Sequence, residues 1–256
     1  MSFQTIKVQT DARGVATLTL ARPDKHNAMS AQMIADLTQA AGDLGADPAV
    51  RVVVLTGQGK SFCAGGDLAW MQAQMAADAE TRFTEARKLA LMLKALNDMP
   101  KPLIGRLQGN AFGGGVGLAA VCDIAIGGSG LKMGLTEVRL GLIPATIGPY
   151  VVARMGAANA RRVMLSGRLF EADEAAAMGL LARVSDDLDA AVEAEIEAHL
   201  HALPGAVADT KALIARLGPV VDHAVIDDTI HALVQRWDSD EAKTEVSAFL
   251  SKRHAK

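Results

Sequence analysis

The chain has 256 residues, half of them apolar, with 26 basic and 29 acidic side chains. This length and composition predict one large domain, or one domain with an appendage, around a substantial core. A net charge of −3 is not typical of proteins that bind nucleic acid or a membrane surface, so neither partner is expected.

Cysteine usage and the absence of long apolar segments predict a cytoplasmic protein. Cys63 and Cys122 are too few for a disulfide framework, which indicates a reducing compartment. Met1 leads into a polar segment without the apolar stretch of a secretory signal. The longest charge-free apolar run in the middle of the chain, at 140–153, contains two prolines and is too short to span a bilayer.

The first half of the chain alternates strand and helix patterns, which predicts an α/β layer fold. Alternating apolar and polar residues over 5–10 and 15–20 predict a β-hairpin. Ser30 is predicted to cap a helix, and a second, longer helix is predicted over 81–97. A short apolar run at 52–55 predicts a buried strand, and two further strands are predicted at 101–107 and 123–126.

From about residue 150 onward the pattern is almost wholly helical. Two apolar stripes mark the helices after residue 203, namely Leu213, Ile214 and Leu217 in the first and Ile226, Ile230, Leu233 and Trp237 in the second. Such a stripe packs either against its own chain or against a second subunit, and the pattern allows both.

The 24 glycines concentrate in the middle of the chain, where 16 of them lie between residues 57 and 148. Two glycine-rich segments, 61–68 and 108–118, each follow a predicted strand and open a helix. A helix N-terminus offers unpaired N–H donors, and glycine allows a ligand oxygen to come close to them. Each segment alone could be a simple tight turn. Two such turns facing each other would form an oxyanion hole.

Other motifs are incomplete. Residues 57–61 end like a phosphate loop but lack its first glycine, and no serine lies in a nucleophile-elbow motif. The six histidines do not form a metal-ligand pattern, so we expect no metal. Cys63 has no evident histidine partner and is expected to be a small buried thiol.

Six segments together resemble the enoyl-CoA hydratase/isomerase (crotonase) family. They are RPDKHNA at 22–28, FCAGGDL at 62–68, GNAFGGG at 109–115, CDIA at 122–125, GLTEVRLG at 134–141 and AMGL at 177–180. The resemblance implies a repeated ββα spiral core over residues 1–200. It also implies a helical trimerisation segment over 201–256, and so a homotrimer or a dimer of trimers.

The resemblance also assigns residues. It implies that the backbone N–H groups of Ala64 and Gly114 hold the oxygen of an acyl-CoA thioester, while Glu137 acts as acid and base. No separate cofactor is implied, because coenzyme A is part of the substrate. The expected coenzyme-binding residues are Lys25, His26, Ala28, Ala64, Gly66, Asp67 and Leu68.

One position departs from the family pattern. Family hydratases carry two glutamates beside the bound water; one matches Glu137, whereas the other falls on Gly117. A single carboxylate can still serve as acid and base. We therefore expect an enoyl-CoA hydratase that adds water across the 2,3 double bond. A single-glutamate Δ3,Δ2-enoyl-CoA isomerase and a catalytically inactive homologue that binds CoA esters are the alternatives.

The segment IPATIGPYVV at 143–152 is similar to a proteobacterial subgroup that hydrates branched glutaconyl-CoA esters in leucine and acyclic terpene breakdown. This similarity suggests 3-methylglutaconyl-CoA as a substrate, although no residue can be named for its extra carboxylate. If the pocket has room, Gly117→Glu is expected to raise activity on short unbranched substrates.

Overall fold

A computed structural model describes residues 3–254 and contains two β-sheets. A six-stranded sheet has the order β1-β2-β3-β5-β7-β10, and a four-stranded sheet has the order β4-β6-β8-β9. The strands are β1 (Ile6–Thr10), β2 (Val15–Leu20), β3 (Val52–Gly57), β4 (Ser61–Cys63), β5 (Leu103–Leu107), β6 (Asn110–Phe112), β7 (Ile124–Gly128), β8 (Lys132–Gly134), β9 (Leu169–Glu171) and β10 (Arg183–Ser185).

Helices pack around and beyond the sheets. They are α1 (Ala31–Ala46), α2 (Leu68–Ala76), α3 (Ala79–Asp98), α4 (Gly114–Val121), α5 (Gly148–Met164), α6 (Ala172–Ala177), α7 (Leu188–Leu200), α8 (Pro204–Leu217), α9 (His223–Trp237) and α10 (Asp240–His254). Short 3₁₀ turns lie at Pro23–Lys25 and Glu137–Leu140. Over residues 3–254, none of the helices has both the length and the apolar character that crossing a membrane requires.

The chain builds both sheets at the same time. Each successive pair of strands gives one member to each sheet: β3 pairs in parallel with β5, and β5 with β7, while β4 pairs in parallel with β6, and β6 with β8. Helices fill the crossovers that parallel strands require. This repeat confirms the predicted ββα spiral core.

The elements with clear periodicity appear where they were predicted. β1 and β2 form the antiparallel hairpin, and the Ser30 hydroxyl caps α1 by accepting the Met33 N–H at 3.3 Å. Five three-residue strands were not predicted, β4, β6, β8, β9 and β10. Three residues are too few to show a two-residue period, and β9 and β10 correct the expectation that the chain is almost wholly helical beyond residue 150.

The two C-terminal apolar stripes behave differently. Ile226 and Ile230 of α9 are buried against α3, so this stripe packs on its own chain. On α8, by contrast, Leu213, Ile214 and Leu217 are all exposed. The division at residue 200 and the trimerising role of the last helices stay predictions.

Candidate active site

All nine predicted site residues line one cavity of about 720 Å³. The cavity lies where the two glycine-rich turns, the Glu137–Leu140 turn and the C-terminal helices meet. The residues are Lys25, His26, Ala28, Ala64, Gly66, Asp67, Leu68, Gly114 and Glu137. Their common location makes a single binding site geometrically feasible, while their individual roles depend on the contacts described below.

The two glycine-rich turns touch each other at Gly65 and Gly113. Both residues have positive φ angles, +94° and +49°, which side-chain-bearing residues rarely adopt. A β-carbon on Gly113 would lie 3.9 Å from the Gly65 α-carbon and 3.1 Å from Glu137 Oε1. Glycine at 113 therefore lets the two turns and the carboxylate converge.

The hydrogen bonds of the first turn correct the role predicted for Ala64. Its N–H donates to the His26 carbonyl at 3.0 Å, so it is already satisfied within the chain. The Asp67 N–H likewise donates to the Met29 carbonyl, at 2.9 Å. Between them, the Gly66 N–H has no acceptor among the described residues, which makes Gly66 the available donor of this turn.

The second donor comes from the start of α4. Gly114 is the first residue of this helix, so its N–H has no intrahelical acceptor. A β-carbon on Gly114 would overlap Cε of Met29, a residue of the loop before α1 that forms a β-bridge with Gly66. Gly66 and Gly114 thus offer two backbone donors to one cavity, the arrangement that an oxyanion requires.

Glu137 opens the 3₁₀ turn that follows β8 and carries an unusual carboxylate. Oε2 is shielded from solvent and accepts no hydrogen bond in the part of the chain that the structure describes. Burial raises the pKa of Glu137 to about 7, because the ionised form loses its hydration without gaining a cationic partner. The group can therefore both accept and release a proton near neutral pH.

Asn27 holds the loop that carries Lys25, His26 and Ala28. It is fully buried with a φ angle of +54°, a conformation that asparagine tolerates better than most residues. Its side-chain oxygen accepts a hydrogen bond from the Arg22 backbone N–H at 2.9 Å. Its side-chain amide donates to the backbone carbonyls of Gln58 and Ser61, both at 2.9 Å. This structural role was not predicted from the sequence, although Asn27 lies in the RPDKHNA segment at 22–28.

The Asp67 carboxylate is engaged within the protein. It caps α2 by accepting the N–H groups of Ala69 at 2.9 Å and Trp70 at 3.4 Å, and it pairs with Arg22 Nη2 at 2.9 Å. Capping the helix and pairing the arginine account for both carboxylate oxygens. Asp67 lines the cavity, but its side chain serves to hold the turn beside Gly66.

The position expected for a second carboxylate is filled. A β-carbon on Gly117 would lie 2.5 Å from Ile147 Cγ2 and 3.5 Å from Leu93 Cδ1. Ile147 is buried and also lines the cavity. The site therefore has an apolar wall here, and it lacks room for an additional side chain at Gly117.

The C-terminal helices close the cavity from the same chain. Leu233 and Trp237 of α9 and Phe249 of α10 are part of its wall. Arg236 donates to the Gly141 carbonyl from Nε at 2.9 Å and from Nη2 at 2.6 Å, which ties α9 to the end of the Glu137–Leu140 turn. The α9 stripe was visible in the sequence, but its contact with the site was not.

The charge of the wall is uneven. Among the described lining residues the cations are Arg22 and Lys25, both in the loop that precedes α1. Apolar side chains from the segment that follows the Glu137–Leu140 turn line another part of the wall, among them Leu142, Ile143 and Ile147. Within residues 3–254, no three His, Cys, Asp or Glu side chains lie close enough together to hold a metal ion.

Comparison with known proteins agrees with this geometry. The family profile described as enoyl-CoA hydratase/isomerase matches residues 10–256. A Thermus thermophilus protein, named among the enoyl-CoA hydratases, is 35% identical over 251 residues, which cover 96% of this chain and 98% of that protein.

Solved structures agree as well. The crystal structure of an enoyl-CoA hydratase from Shewanella pealeana has a TM-score of 0.83 at 37% identity and covers 98% of this chain and 94% of that one. One from Mycobacterium avium has a TM-score of 0.84 at 32% identity, with 97% and 96% covered. The chain belongs to the enoyl-CoA hydratase/isomerase (crotonase) family.

Proposed function

We propose that this protein is a hydratase that adds water across the 2,3 double bond of an acyl-CoA thioester. The names of its relatives support this reaction class. The observation that carries the proposal is the convergence of three groups on one cavity. They are the Glu137 carboxylate, whose pKa is about 7, and the unpaired N–H groups of Gly66 and Gly114.

The reaction follows from these groups. Glu137 takes a proton from water as the water oxygen bonds to C3, and the C2–C3 π electrons move onto the thioester oxygen. The N–H groups of Gly66 and Gly114 hold the negative charge that develops there. Glu137 then returns its proton to C2, which regenerates the carboxylate and leaves a 3-hydroxyacyl thioester.

Coenzyme A is proposed to lie along the loop of Lys25, His26 and Ala28 and across the turn from Ala64 to Leu68. Lys25 lines the cavity, and its ammonium group is proposed to meet the phosphates of the coenzyme. Asp67 acts here through the helix that it caps, because its carboxylate is already bonded to Arg22. Coenzyme A arrives with the substrate, so the mechanism uses no separate cofactor.

The wall beyond Glu137 favours an apolar acyl group. Leu142, Ile143, Pro144 and Ile147 line it from the loop before α5. We therefore propose unbranched or methyl-branched 2-enoyl groups as the preferred substrates. The ester 3-methylglutaconyl-CoA is the narrower proposal, and its distal carboxylate would have to reach a water-filled part of the cavity, since the lining cations belong to the loop before α1.

A second candidate reaction is Δ3,Δ2-isomerisation. The apolar contact between Gly117 and Ile147 favours it, because moving one proton between C4 and C2 needs only one carboxylate. Isomerisation uses Glu137 and the same two N–H groups. It differs from hydration in needing no bound water.

Product analysis separates the candidates. Purified protein is offered matched 2-enoyl-CoA and 3-enoyl-CoA esters, together with 3-methylglutaconyl-CoA, and the products are identified by mass spectrometry and NMR. We expect 3-hydroxyacyl-CoA from the 2-enoyl ester. Double-bond migration without water addition would contradict the hydratase and support the isomerase. Binding without turnover of any ester would identify an inactive homologue.

We also propose that the protein is cytoplasmic and assembles as a homotrimer, or as a dimer of trimers, through residues 201–256. The exposed apolar face of α8, with Leu213, Ile214 and Leu217, supports this assembly. Light scattering coupled to size-exclusion chromatography is expected to give three or six chain masses. A single chain mass at micromolar concentration would contradict the assembly.

A further inference from the structure

We propose that the hydroxyl of Thr146 holds the attacking water opposite Glu137. This assignment rests on the proposed hydratase function and deepens it, because it names the residue that lets one carboxylate support hydration. Thr146 lies in the loop before α5, immediately before Ile147, the residue that packs against Gly117.

Thr146 is polar and buried, and it is available. It is 9% exposed and lines the cavity. Among the described residues, its hydroxyl makes no hydrogen bond to the protein. The hydroxyl is not one of the shielded, unpartnered side-chain atoms, so it is open to the cavity, where a water molecule can bond to it. The open space beside Thr146 is the cavity that also receives Glu137.

The loop that carries Thr146 is held in place. The Gly148 N–H donates to the Pro144 carbonyl at 2.7 Å, and the Ala145 N–H donates to the Ile143 carbonyl at 2.9 Å. Ile147 is 1% exposed and anchors the loop against α4. A hydroxyl on a fixed loop can position a water molecule without a large ordering cost.

A reacting water needs more than one partner. Buried waters make about three hydrogen bonds, and Glu137 can accept only one of the two water protons productively. The charged lining residues and His26 belong to the loop before α1 and to the first turn, namely Arg22, Asp24, Lys25, His26 and Asp67. Of the remaining polar lining residues, Thr136 lies on the turn of Glu137 itself, Trp70 Nε1 is shielded and can only donate, and Gln72 already has a partner. Thr146 therefore provides the second acceptor from a separate segment.

In this role Thr146 orients the water and takes no part in proton transfer. One water hydrogen is directed to Glu137 and transfers to it, while the other points to Thr146 Oγ1 and remains on the oxygen that becomes the 3-hydroxyl group. The water lone pair is thereby aimed at C3. Thr146 keeps its own proton throughout. Exchange of a C2 proton requires Glu137 and the two N–H donors, but not this water.

The test compares Thr146→Val with Thr146→Ser. Valine has nearly the same shape without the hydroxyl, whereas serine keeps it. Each variant and the wild type are assayed for hydration of a 2-enoyl-CoA. They are also assayed for exchange of the C2 protons of a saturated acyl-CoA with D₂O, followed by NMR. Thr136→Val is the matched variant for the hydroxyl on the turn of Glu137.

We expect Thr146→Val to lower kcat for hydration by at least about tenfold with little change in KM and in C2 exchange. Thr146→Ser should recover most of that loss, and Thr136→Val should lose less than Thr146→Val. The assignment alone would be overturned if Thr146→Val hydrated the ester at the wild-type rate. It would also be overturned if C2 proton exchange fell by the same factor as hydration. A wild-type protein that exchanges C2 protons but hydrates no ester would overturn the proposed function and the assignment together.

Discussion

Gly117 of α4 packs directly against Ile147, at a distance that leaves no space for a side chain. A β-carbon on Gly117 would lie 2.5 Å from Ile147 Cγ2 and 3.0 Å from Ile147 Cβ. Gly117, which stands where family hydratases carry a second glutamate, is therefore part of a packed apolar contact. The role proposed for Glu137 therefore has to be filled without a second glutamate at this point of the wall.

This contact reverses the expectation for Gly117→Glu. The longer side chain has to displace Ile147, so we expect a lower hydration rate and a free energy of unfolding reduced by about 1–3 kcal/mol. Gly117→Ala should already lose part of this stability. Urea unfolding and the hydration rate measure the two effects.

A double-mutant cycle provides the control. Ile147→Ala removes the Cγ2 atom, so Gly117→Ala should cost less stability in that background than in the wild type. Additive losses would show that the two residues do not compete for space. A rise in hydration on Gly117→Glu at unchanged stability would contradict the packing argument.

The acid–base state of Glu137 predicts the pH dependence of catalysis. Burial raises the pKa of Glu137 to about 7, and the ionised carboxylate is the form that accepts a proton from water. The value of kcat/KM for hydration should therefore rise with pH and level off above an inflection near 7. An inflection near the ordinary carboxyl value of 4.5 would mean that the free site is more hydrated than the structure indicates.

The same pKa shift predicts a stability effect for Glu137→Gln. A carboxyl group with a pKa of 4.5 unfolded and about 7 folded favours folding when it is protonated. This favourable contribution is fully present below pH 4.5 and is lost as the pH rises through 7. Glu137→Gln should therefore be more stable than the wild type at pH 8, by up to roughly 3 kcal/mol, with the difference shrinking toward pH 4.

Chemical unfolding of both proteins at several pH values checks this. A constant difference between Glu137→Gln and wild type across the pH range would exclude titration of Glu137 as its cause. A less stable variant at pH 8 would show that the wild-type carboxylate has a favourable partner in solution.

Arg236 is predicted to position the turn that carries Glu137. Its two hydrogen bonds to the Gly141 carbonyl should be lost in Arg236→Gln, which we expect to reduce stability by about 1–3 kcal/mol and kcat several-fold. Glu241→Gln is the matched control, because it removes only the exposed ion pair to Arg236. Thermal unfolding and hydration kinetics should leave the control within error of the wild type; equal losses in both variants would refute the role of the Gly141 contact.

A helix or strand could be predicted from the sequence where its periodic pattern extends over enough residues or where a capping side chain marks its start. The β1–β2 hairpin, the Ser30 cap and α3 have several residues of clear periodicity or a capping side chain, and the structure confirms them. The strands of the small sheet have three residues each, which no periodicity can reveal. Their pairing comes from tertiary contacts instead.

At the site, motifs identify the segments but not the donors within them. Five residues of the 62–68 segment line the cavity, and the resemblance selected Ala64 among them. The structure shows that the Ala64 N–H is bonded to the His26 carbonyl, whereas the Gly66 N–H has no acceptor among the described residues. Long-range contacts such as Gly117 with Ile147, 30 residues apart, likewise have no local signal.

The proposed mechanism assigns to Glu137 alone the transfer of the proton from water to C2. It is tested most directly by incubating wild type and Glu137→Gln with a 2-enoyl-CoA in H₂¹⁸O and measuring ¹⁸O in the 3-hydroxyacyl product by mass spectrometry. We expect labelled product from the wild type and a rate at least about 10³-fold lower from Glu137→Gln, with the variant folded and still binding the ester. Labelled product formed by Glu137→Gln at a rate near that of the wild type would contradict the claim.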